Sequence, residues 1–191
     1  MSGVTDAALD GRVAIVTGGG RGLGRAMTLG LARAGVRVVA TAARESAEIE
    51  QVAVEACAEC GEERVLPLVA DVTQEADCER VVASALERWQ RLDILVNNAG
   101  IGMVKPVEEV TEEDWDACID TNLKGAFFGC RHAVGPMRAG GGGAIVNMSS
   151  NAGLLPRSHD PVYSISKMAL VGLTRSLALC LAAVAWPFFC Y

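Results

Sequence analysis

Short apolar segments rich in branched side chains alternate with helical segments along most of the chain. The strand-like segments are residues 12–17, 36–41, 65–70, 93–97 and 144–149, and the helical segments are 22–34, 45–60, 75–90, 111–137 and a helix from Val162 onward. Strands that alternate with helices at this interval require crossover connections, which produce a parallel sheet covered by helices on both faces. The order therefore predicts a doubly wound α/β fold. A length of 191 residues suits one domain spanning residues 1–191.

A glycine-rich loop, TGGGRGLG at residues 17–24, joins the first predicted strand to the first predicted helix. Glycines let the backbone approach a ligand closely, and a helix N-terminus presents unpaired N–H groups with a partial positive charge. The loop therefore predicts binding of an anion such as the pyrophosphate of a dinucleotide. The literal Gly-x-Gly-x-x-Gly spacing is absent, and taken alone the loop also fits a plain turn.

The second predicted strand is followed by the segment Ala40-Thr-Ala-Ala-Arg44, which contains no carboxylate. Dinucleotide folds that prefer NAD place an acidic residue here, about 20 residues after the glycine loop. An acid would repel the extra phosphate of NADP, whereas Arg21 and Arg44 can pair with it through charge-assisted hydrogen bonds. The sequence therefore predicts NADP(H) in preference to NAD(H).

Tyr163 and Lys167 are four residues apart in a predicted helix, so both side chains lie on the same face. A phenol has a pKa of about 10 and is a weak acid near neutrality. One ammonium about 4 Å away favours the ionised phenol by about 4 kcal/mol at an effective dielectric of 20. The same spacing also occurs in ordinary solvent-facing helices, so a role as proton donor depends on the surrounding motifs.

Several motifs occur together in an order that resembles the short-chain dehydrogenase/reductase family. The resemblance covers about residues 11–179 and implies a Rossmann-like fold. The motifs are the glycine loop, Asp71-Val72, Asn97-Asn-Ala-Gly100, Asn122 in Thr-Asn-Leu-Lys-Gly, and the set Ser150, Tyr163 and Lys167. Within the family, the chain looks most like the NADPH-dependent 3-oxoacyl-carrier-protein reductases, because of Arg21 and the segment after the second strand.

The resemblance implies a role for each matched position. Tyr163 is implied to be the acid/base, Ser150 to hydrogen-bond the substrate oxygen, and Lys167 to make the tyrosine more acidic and hold the nicotinamide ribose. Asn122 is implied to hold a water in the proton relay. With the arginines above, the expected cofactor-binding residues are Thr17, Gly18, Arg21, Gly22, Leu23, Gly24, Arg44, Asp71, Val72, Asn98, Ala99, Gly100, Tyr163 and Lys167.

Charge and cysteine content limit the other classes of function. The net charge of −6 disfavours nucleic acid or an anionic membrane as the main partner. The first ten residues lack a basic region followed by an apolar run, so a cytoplasmic protein is expected. Seven cysteines are an odd number for a disulfide framework. Cys57 and Cys60 have the spacing of half a zinc site, but no second pair follows, so no metal site is predicted.

After Leu179 the sequence departs from the family pattern. The family continues with a sixth strand, a Pro-Gly turn and a substrate lid, whereas residues 180–191 form an apolar tail, CLAAVAWPFFCY. We therefore expect a chain truncated after the helix that carries Tyr163 and Lys167. The fifth strand is then an exposed edge, which the tail either covers or extends as an apolar patch. The uncharged stretch 177–191 is interrupted by Pro187 and is short for a membrane span.

Two functional hypotheses follow from these features. The first is an NADP(H)-dependent oxidoreductase that interconverts a small ketone and a secondary alcohol, with hydride from nicotinamide and a proton from Tyr163. The second is a catalytically impaired protein that binds a dinucleotide or pairs with a full-length relative. The helices that begin near Thr111 and Val162 resemble those of the family's oligomer interface, which implies a homodimer or homotetramer.

Overall fold

The computed structural model describes residues 8–44, 46–181 and 188–190, the last three by backbone alone. The strands are β1 (Val13–Val16), β2 (Arg37–Ala42), β3 (Val65–Val69), β4 (Ile94–Asn97), β5 (Ala144–Asn147) and β6 (Phe188–Cys190). The helices are α1 (Gly22–Arg33), α2 (Ser46–Cys60), α3 (Glu75–Trp89), α4 (Glu112–Ile119), α5 (Gly125–Ala139) and α6 (Pro161–Leu181). A π-helical turn, Asp120–Lys124, joins α4 to α5, and short 3₁₀ turns span Val107–Glu109 and Asn151–Gly153. Glu45, which the sequence placed at the start of α2, lies outside the described residues.

The strands form one sheet in the order β3-β2-β1-β4-β5-β6, and every pair is parallel. In β1, Val13 and Ile15 face the layer formed by α3, α5 and α6. Ala14 and Val16 face the opposite layer, formed by α1 and α2. All four residues are buried because helices cover both faces, which explains the continuous apolar run of this strand. The predicted doubly wound α/β fold is confirmed.

The outer edge of the sheet differs from the sequence expectation. The backbone of β6 pairs with β5 in parallel, with Phe188 opposite Ile145 and Cys190 opposite Asn147. Of the two possibilities stated for the apolar tail, the structure shows the first: part of the tail covers the β5 edge, so β5 is not an exposed edge. A strand of three residues is too short to give a periodic pattern, so the sequence offered little sign of it.

The predicted helix 111–137 consists of α4 and α5 joined through the π-helical turn. Thr111 caps α4 in a capping box, in which its hydroxyl accepts from the Asp114 N–H and the Asp114 carboxylate accepts from the Thr111 N–H. At the turn, the Gly125 N–H donates to the Asp120 carbonyl, five residues earlier. Such π turns occur often at functional sites. This turn carries Asn122, which is buried.

Helix α6 begins after Asp160, with Pro161 at its first position and the Ser164 N–H bonded to the Asp160 carbonyl. By length and composition alone, α6 is apolar enough to cross a membrane. It nevertheless carries Lys167, and Leu181 at its end packs into the sheet core. One such helix is weak evidence for a membrane, and the absence of a membrane partner remains a prediction.

Candidate active site

The glycine loop leaves β1 at the carboxyl edge of the sheet and enters α1. Gly18 and Gly22 have positive φ angles of 65° and 53°, which favour glycine. A Cβ atom on Gly24 would lie 2.0 Å from the Gly18 carbonyl oxygen, so the chain can cross itself here only without a side chain. Around Gly22 the described part of the chain places no atom within 4 Å of a Cβ, so this side of the loop is open.

The N-terminus of α1 is available to a ligand. Its N-cap residue, Arg21, makes no side-chain capping hydrogen bond, and Leu23 in the first turn is 68% exposed. The backbone N–H groups at a helix start carry a partial positive charge and bind phosphate when no side chain occupies them. The loop residues therefore fit the pyrophosphate of a dinucleotide cofactor.

Thr17 and Asn98 hold the glycine loop against the end of β4. The Thr17 hydroxyl accepts hydrogen bonds of 3.0 Å from the N–H groups of Asn98 and Ala99. The Asn98 side-chain amide donates to the carbonyls of Thr17 at 2.9 Å and Gly18 at 3.1 Å. Two residues that the sequence assigned to cofactor binding thus shape the loop through contacts within the protein.

Arg21 lies in the glycine loop, and Arg44 follows the end of β2. Both side chains are exposed, and neither guanidinium has a hydrogen-bond or ion-pair partner among residues 8–44, 46–181 and 188–190. Two cations without an internal carboxylate partner are suited to an anionic ligand.

Asp71 and Val72 follow β3 at the same edge of the sheet. The Asp71 carboxylate accepts from the Thr73 N–H at 3.0 Å, and the Asp71 N–H donates to Asp77 at 2.8 Å. That backbone hydrogen bond, followed by the one from Arg80, lowers the pKa of Asp77. Val72 packs against Gly125, where a Cβ would lie 2.9 Å from the valine side chain. Both predicted adenine contacts are therefore fixed between α3 and α5.

Lys167 and Tyr163 lie together on one face of α6, as their spacing predicts. The Lys167 ammonium is 5.7 Å from the centre of the Tyr163 ring and donates to the Met148 carbonyl at 2.7 Å. A Cβ on Gly100 would lie 3.5 Å from the Lys167 Nζ and 3.1 Å from the Asn122 Oδ1. The turn after β4 therefore passes close to the side chains of Lys167 and Asn122.

Asn122 projects inward from the π-helical turn and is 1% exposed. Its Oδ1 accepts from the Ile101 N–H at 2.8 Å, and its Nδ2 donates to the Ile101 carbonyl and to the Ser166 hydroxyl, both at 3.0 Å. Both amide hydrogens are therefore engaged within the protein. A water held by Asn122, as the family resemblance implies, can contact only its acceptor atoms.

Ser150 caps the 3₁₀ turn that follows β5. Its hydroxyl accepts from the Ala152 N–H at 3.2 Å and donates to the Asn151 Oδ1 at 3.1 Å. Gly153 brings this turn onto α6, because a Cβ there would lie 2.8 Å from the Lys167 carbonyl oxygen. The sequence reasoning missed Gly153, whose only signal was its position three residues after the predicted serine.

A buried network of hydrogen bonds between neutral polar groups was also missed. The Asn97 Nδ2 donates to the Asn147 Oδ1 at 2.8 Å, and the Asn147 Nδ2 donates to the Thr174 hydroxyl at 2.9 Å. Thr174 donates in turn to the Leu170 carbonyl at 2.8 Å. These hydrogen bonds join β4, β5 and α6, and no local sequence pattern indicated that these residues pair.

The cysteines near the site are neutral thiols. Burial raises the pKa of Cys130 to about 12 and that of Cys78 to about 11, and burial also raises the pKa of Cys118. None of these three therefore supplies a thiolate nucleophile near neutrality. Within the part of the chain that the structure describes, no group of three or more His, Cys, Asp or Glu residues could hold a metal ion.

Comparison with known proteins identifies the class of this site. The family model for short chain dehydrogenase matches residues 12–184, and the chain therefore belongs to the short-chain dehydrogenase family of oxidoreductases. The family recognised from the motifs is thus confirmed.

Three similar proteins illustrate the range of the family. A protein of Thermotoga maritima named uncharacterized oxidoreductase is 42% identical, over 88% of this chain and 65% of its own length. A 3-oxoacyl-[acyl-carrier-protein] reductase of Synechocystis is 36% identical, over 92% of this chain and 70% of its own length. The crystal structure of a metagenomic short-chain oxidoreductase in complex with NADP superimposes with a TM-score of 0.90 at 34% identity, covering 96% of this chain and 82% of the other. The chain spans about 65% of the length of the first curated relatives.

Proposed function

We propose that this chain is an NADP(H)-dependent oxidoreductase that interconverts a ketone and a secondary alcohol. The observation that carries the proposal is that Lys167 lies beside both the Tyr163 ring and Gly100, and that Asn122 also lies next to Gly100. The membership of an oxidoreductase family supports this hypothesis over a protein that only binds a dinucleotide or a partner.

The chemistry of ketone reduction requires the side chains that meet here. Hydride adds to the carbonyl carbon while the oxygen gains negative charge, so that oxygen needs a proton donor and a hydrogen-bond donor. The nicotinamide supplies the hydride when it is bound. Tyr163 donates the proton, and the Lys167 ammonium stabilises the phenolate that remains. Ser150 donates a hydrogen bond to the substrate oxygen in exchange for its present bond to Asn151.

The residues that would hold the cofactor follow the carboxyl ends of the strands. The glycine loop and the start of α1 would bind its pyrophosphate, and Asp71 and Val72 would contact the adenine. Arg21 and Arg44 pair with the additional phosphate of NADP, and Lys167 binds the nicotinamide ribose. The open side of the loop at Gly22 supports this arrangement, as do the two guanidinium groups, which have no carboxylate partner among the residues that the structure describes.

Replacement of Tyr163 by phenylalanine tests the proton donor. We expect Tyr163→Phe to lower turnover of a ketone panel by at least about a hundredfold, because a general acid contributes 10²–10⁴-fold. NADPH binding, followed by fluorescence quenching, should remain. Tyr191→Phe makes the same change at the second of the two tyrosines and serves as the control. Retained turnover in Tyr163→Phe removes this residue from the mechanism.

The preference for NADP is tested at the end of β2. Ala42→Asp places a carboxylate where the adenosine ribose is expected, and Arg44→Met removes a cation. Each variant should weaken NADP binding relative to NAD by about tenfold, through repulsion or loss of a charge-assisted hydrogen bond. Arg37→Met changes an exposed arginine at the opposite end of β2 and serves as the control. Unchanged NADP/NAD ratios in both test variants contradict the assignment.

We also propose that the chain forms a homodimer or homotetramer through the outer faces of α4, α5 and α6. Large apolar side chains lie exposed on these helices, namely Trp115, Phe127, Ile165 and Met168. Such exposed apolar groups are typical of protein interfaces. Phe127→Asp should shift the sedimentation coefficient to that of a monomer, whereas Val54→Asp on α2 should not. A monomeric parent protein contradicts this interface.

A further inference from the structure

Ser166 lies in the segment between Tyr163 and Lys167, but its side chain points into the protein and has no solvent exposure. Its hydroxyl is 2.7 Å from the Tyr163 carbonyl oxygen and 3.0 Å from the Asn122 Nδ2. A serine hydroxyl that bonds to the carbonyl three residues earlier is common in helices. Ser166 makes an additional contact with Asn122, a side chain from another element and one of the predicted catalytic residues.

The direction of each hydrogen bond around Ser166 is determined. A carbonyl oxygen can only accept, so Ser166 donates its proton to Tyr163 and accepts from Asn122. Asn122 must therefore present its Nδ2 to Ser166 and its Oδ1 to the Ile101 N–H, as observed at 2.8 Å. Every polar atom of Ser166 and both hydrogens of the Asn122 amide have partners.

These bonds connect two elements that are distant in sequence, since Asn122 and Ser166 are 44 residues apart. The π-helical turn contributes Asn122, and the first turns of α6 contribute the Tyr163 carbonyl. The Ser166 hydroxyl joins them, and it also lies 3.9 Å from the Cys118 Sγ of α4. Lys167 is held separately, through its bond to the Met148 carbonyl. Loss of the Ser166 hydroxyl removes the link between the Tyr163 carbonyl and Asn122, whereas the bond from Lys167 to Met148 does not involve this hydroxyl.

We propose that Ser166 is a positioning residue, which fixes the Tyr163 ring relative to Asn122 and Lys167. The proposal rests on the proposed function, in which Tyr163 donates the proton. Removing the hydroxyl allows the ring to sample other positions, so proton transfer becomes slower although the cofactor still binds.

Ser164 provides a matched control on the same helix. It is also a buried serine, 2% exposed, and its hydroxyl donates to the Asp160 carboxylate at 2.8 Å. Ser164→Ala and Ser166→Ala each remove one buried hydroxyl group from α6. They differ in whether the lost bonds lead to Asn122 and Tyr163.

The first measurement does not depend on activity. In a Tyr191→Phe background, Tyr163 is the only tyrosine, so fluorotyrosine labelling gives a single fluorine NMR resonance for its ring. Ser166→Ala should shift or broaden this resonance, and Ser164→Ala should leave it unchanged. Identical spectra for the two serine variants overturn the proposal.

The second measurement is steady-state kinetics with NADPH and a ketone. Ser166→Ala should lower kcat by about tenfold with an unchanged KM for NADPH, because misplacement affects the reacting groups more than binding. Ser164→Ala should retain kcat at temperatures where both variants are folded. Equal kcat values for the two variants contradict the proposal. If the parent protein has no activity, the proposed function fails, whereas the fluorine spectrum still decides whether Ser166 positions the Tyr163 ring.

Discussion

The two ends of the central strands are held together by different chemistry. At the amino end of β4, the Asp93 carboxylate accepts hydrogen bonds from Arg12 at 2.7 Å, from Arg91 at 2.6 Å and from the Val13 N–H at 2.8 Å. At the carboxyl end of β4 and β5, the neutral chain from Asn97 through Asn147 to Thr174 makes the connection.

The two ends therefore differ in whether charged side chains are used to hold the strands together. At the amino end of β4, Arg12 and Arg91 are paired with the Asp93 carboxylate. At the carboxyl edge, neutral groups bind the strands to each other, and Arg21 and Arg44 have no carboxylate partner in the described residues. An anionic ligand at that edge therefore meets positive charge that the protein has not already neutralised.

The largest effect is expected at the carboxyl edge, from Gly24→Ala. Its Cβ would lie 2.0 Å from the Gly18 carbonyl oxygen, so the backbone must move. We expect a loss of about 3 kcal/mol or more of unfolding free energy, the upper range for overpacking, together with loss of NADP(H) binding. Urea denaturation and a fluorescence binding titration measure these effects.

Gly30→Ala is the control for this substitution, because no atom within the described chain lies within 4 Å of its Cβ position in α1. It should stabilise the protein by up to about 1 kcal/mol, the difference between glycine and alanine in a helix interior. If Gly24→Ala has the same effect on unfolding free energy as Gly30→Ala, the close approach of Gly24 to the Gly18 carbonyl does not determine the shape of the glycine loop.

A smaller, pH-dependent effect is expected at the amino end, from Asp93→Asn. Burial raises the pKa of Asp93, but the hydrogen bonds from Arg91 and Arg12 outweigh burial and hold it below its usual value. The carboxylate therefore stabilises the fold above its unfolded pKa of about 3.9. This contribution is lost as pH falls through the lower folded pKa.

We expect Asp93→Asn to cost about 2 kcal/mol of unfolding free energy at neutral pH, since hydrogen bonds to charged groups contribute about 1.5–3 kcal/mol. The difference from the parent should shrink below about pH 4, as the parent carboxylate becomes protonated. Urea denaturation across this pH range is the measurement. If the difference in unfolding free energy between the variant and the parent is the same at all pH values, the charge of the Asp93 carboxylate does not stabilise the amino end of β4.

The smallest effect is expected from Thr174→Val in the neutral chain. The substitution keeps the shape but leaves the Asn147 Nδ2 without its partner, which costs about 1–2 kcal/mol for a buried donor. This loss should not change between acidic and neutral pH, in contrast to that of Asp93→Asn. Thr28→Val is a matched control, since within the described part of the chain the buried Thr28 hydroxyl makes a single long contact, of 3.5 Å, with the Gly19 carbonyl.

Features that depend on local sequence were predicted well. The alternation of apolar runs and helical segments indicated five of the strands and their helices, because each pattern is set by nearby residues. The glycine loop and the i, i+4 pair Tyr163 and Lys167 were found for the same reason.

Features that depend on contacts between distant segments could not be predicted in this way. The pairing of Asn147 with Thr174 and that of Asn122 with Ser166 join residues 27 and 44 positions apart. Nothing in the local sequence distinguishes these polar residues from exposed ones. Gly153 likewise owes its importance to the backbone of α6, which approaches it only in the folded chain.

The strand order has a consequence for the way the chain can assemble during synthesis. β2 and β3 add successively on one side of β1, and β4, β5 and β6 add successively on the other. No described strand has to enter between two strands that are already paired. Each strand can therefore join an existing edge as it leaves the ribosome, without earlier pairs having to separate.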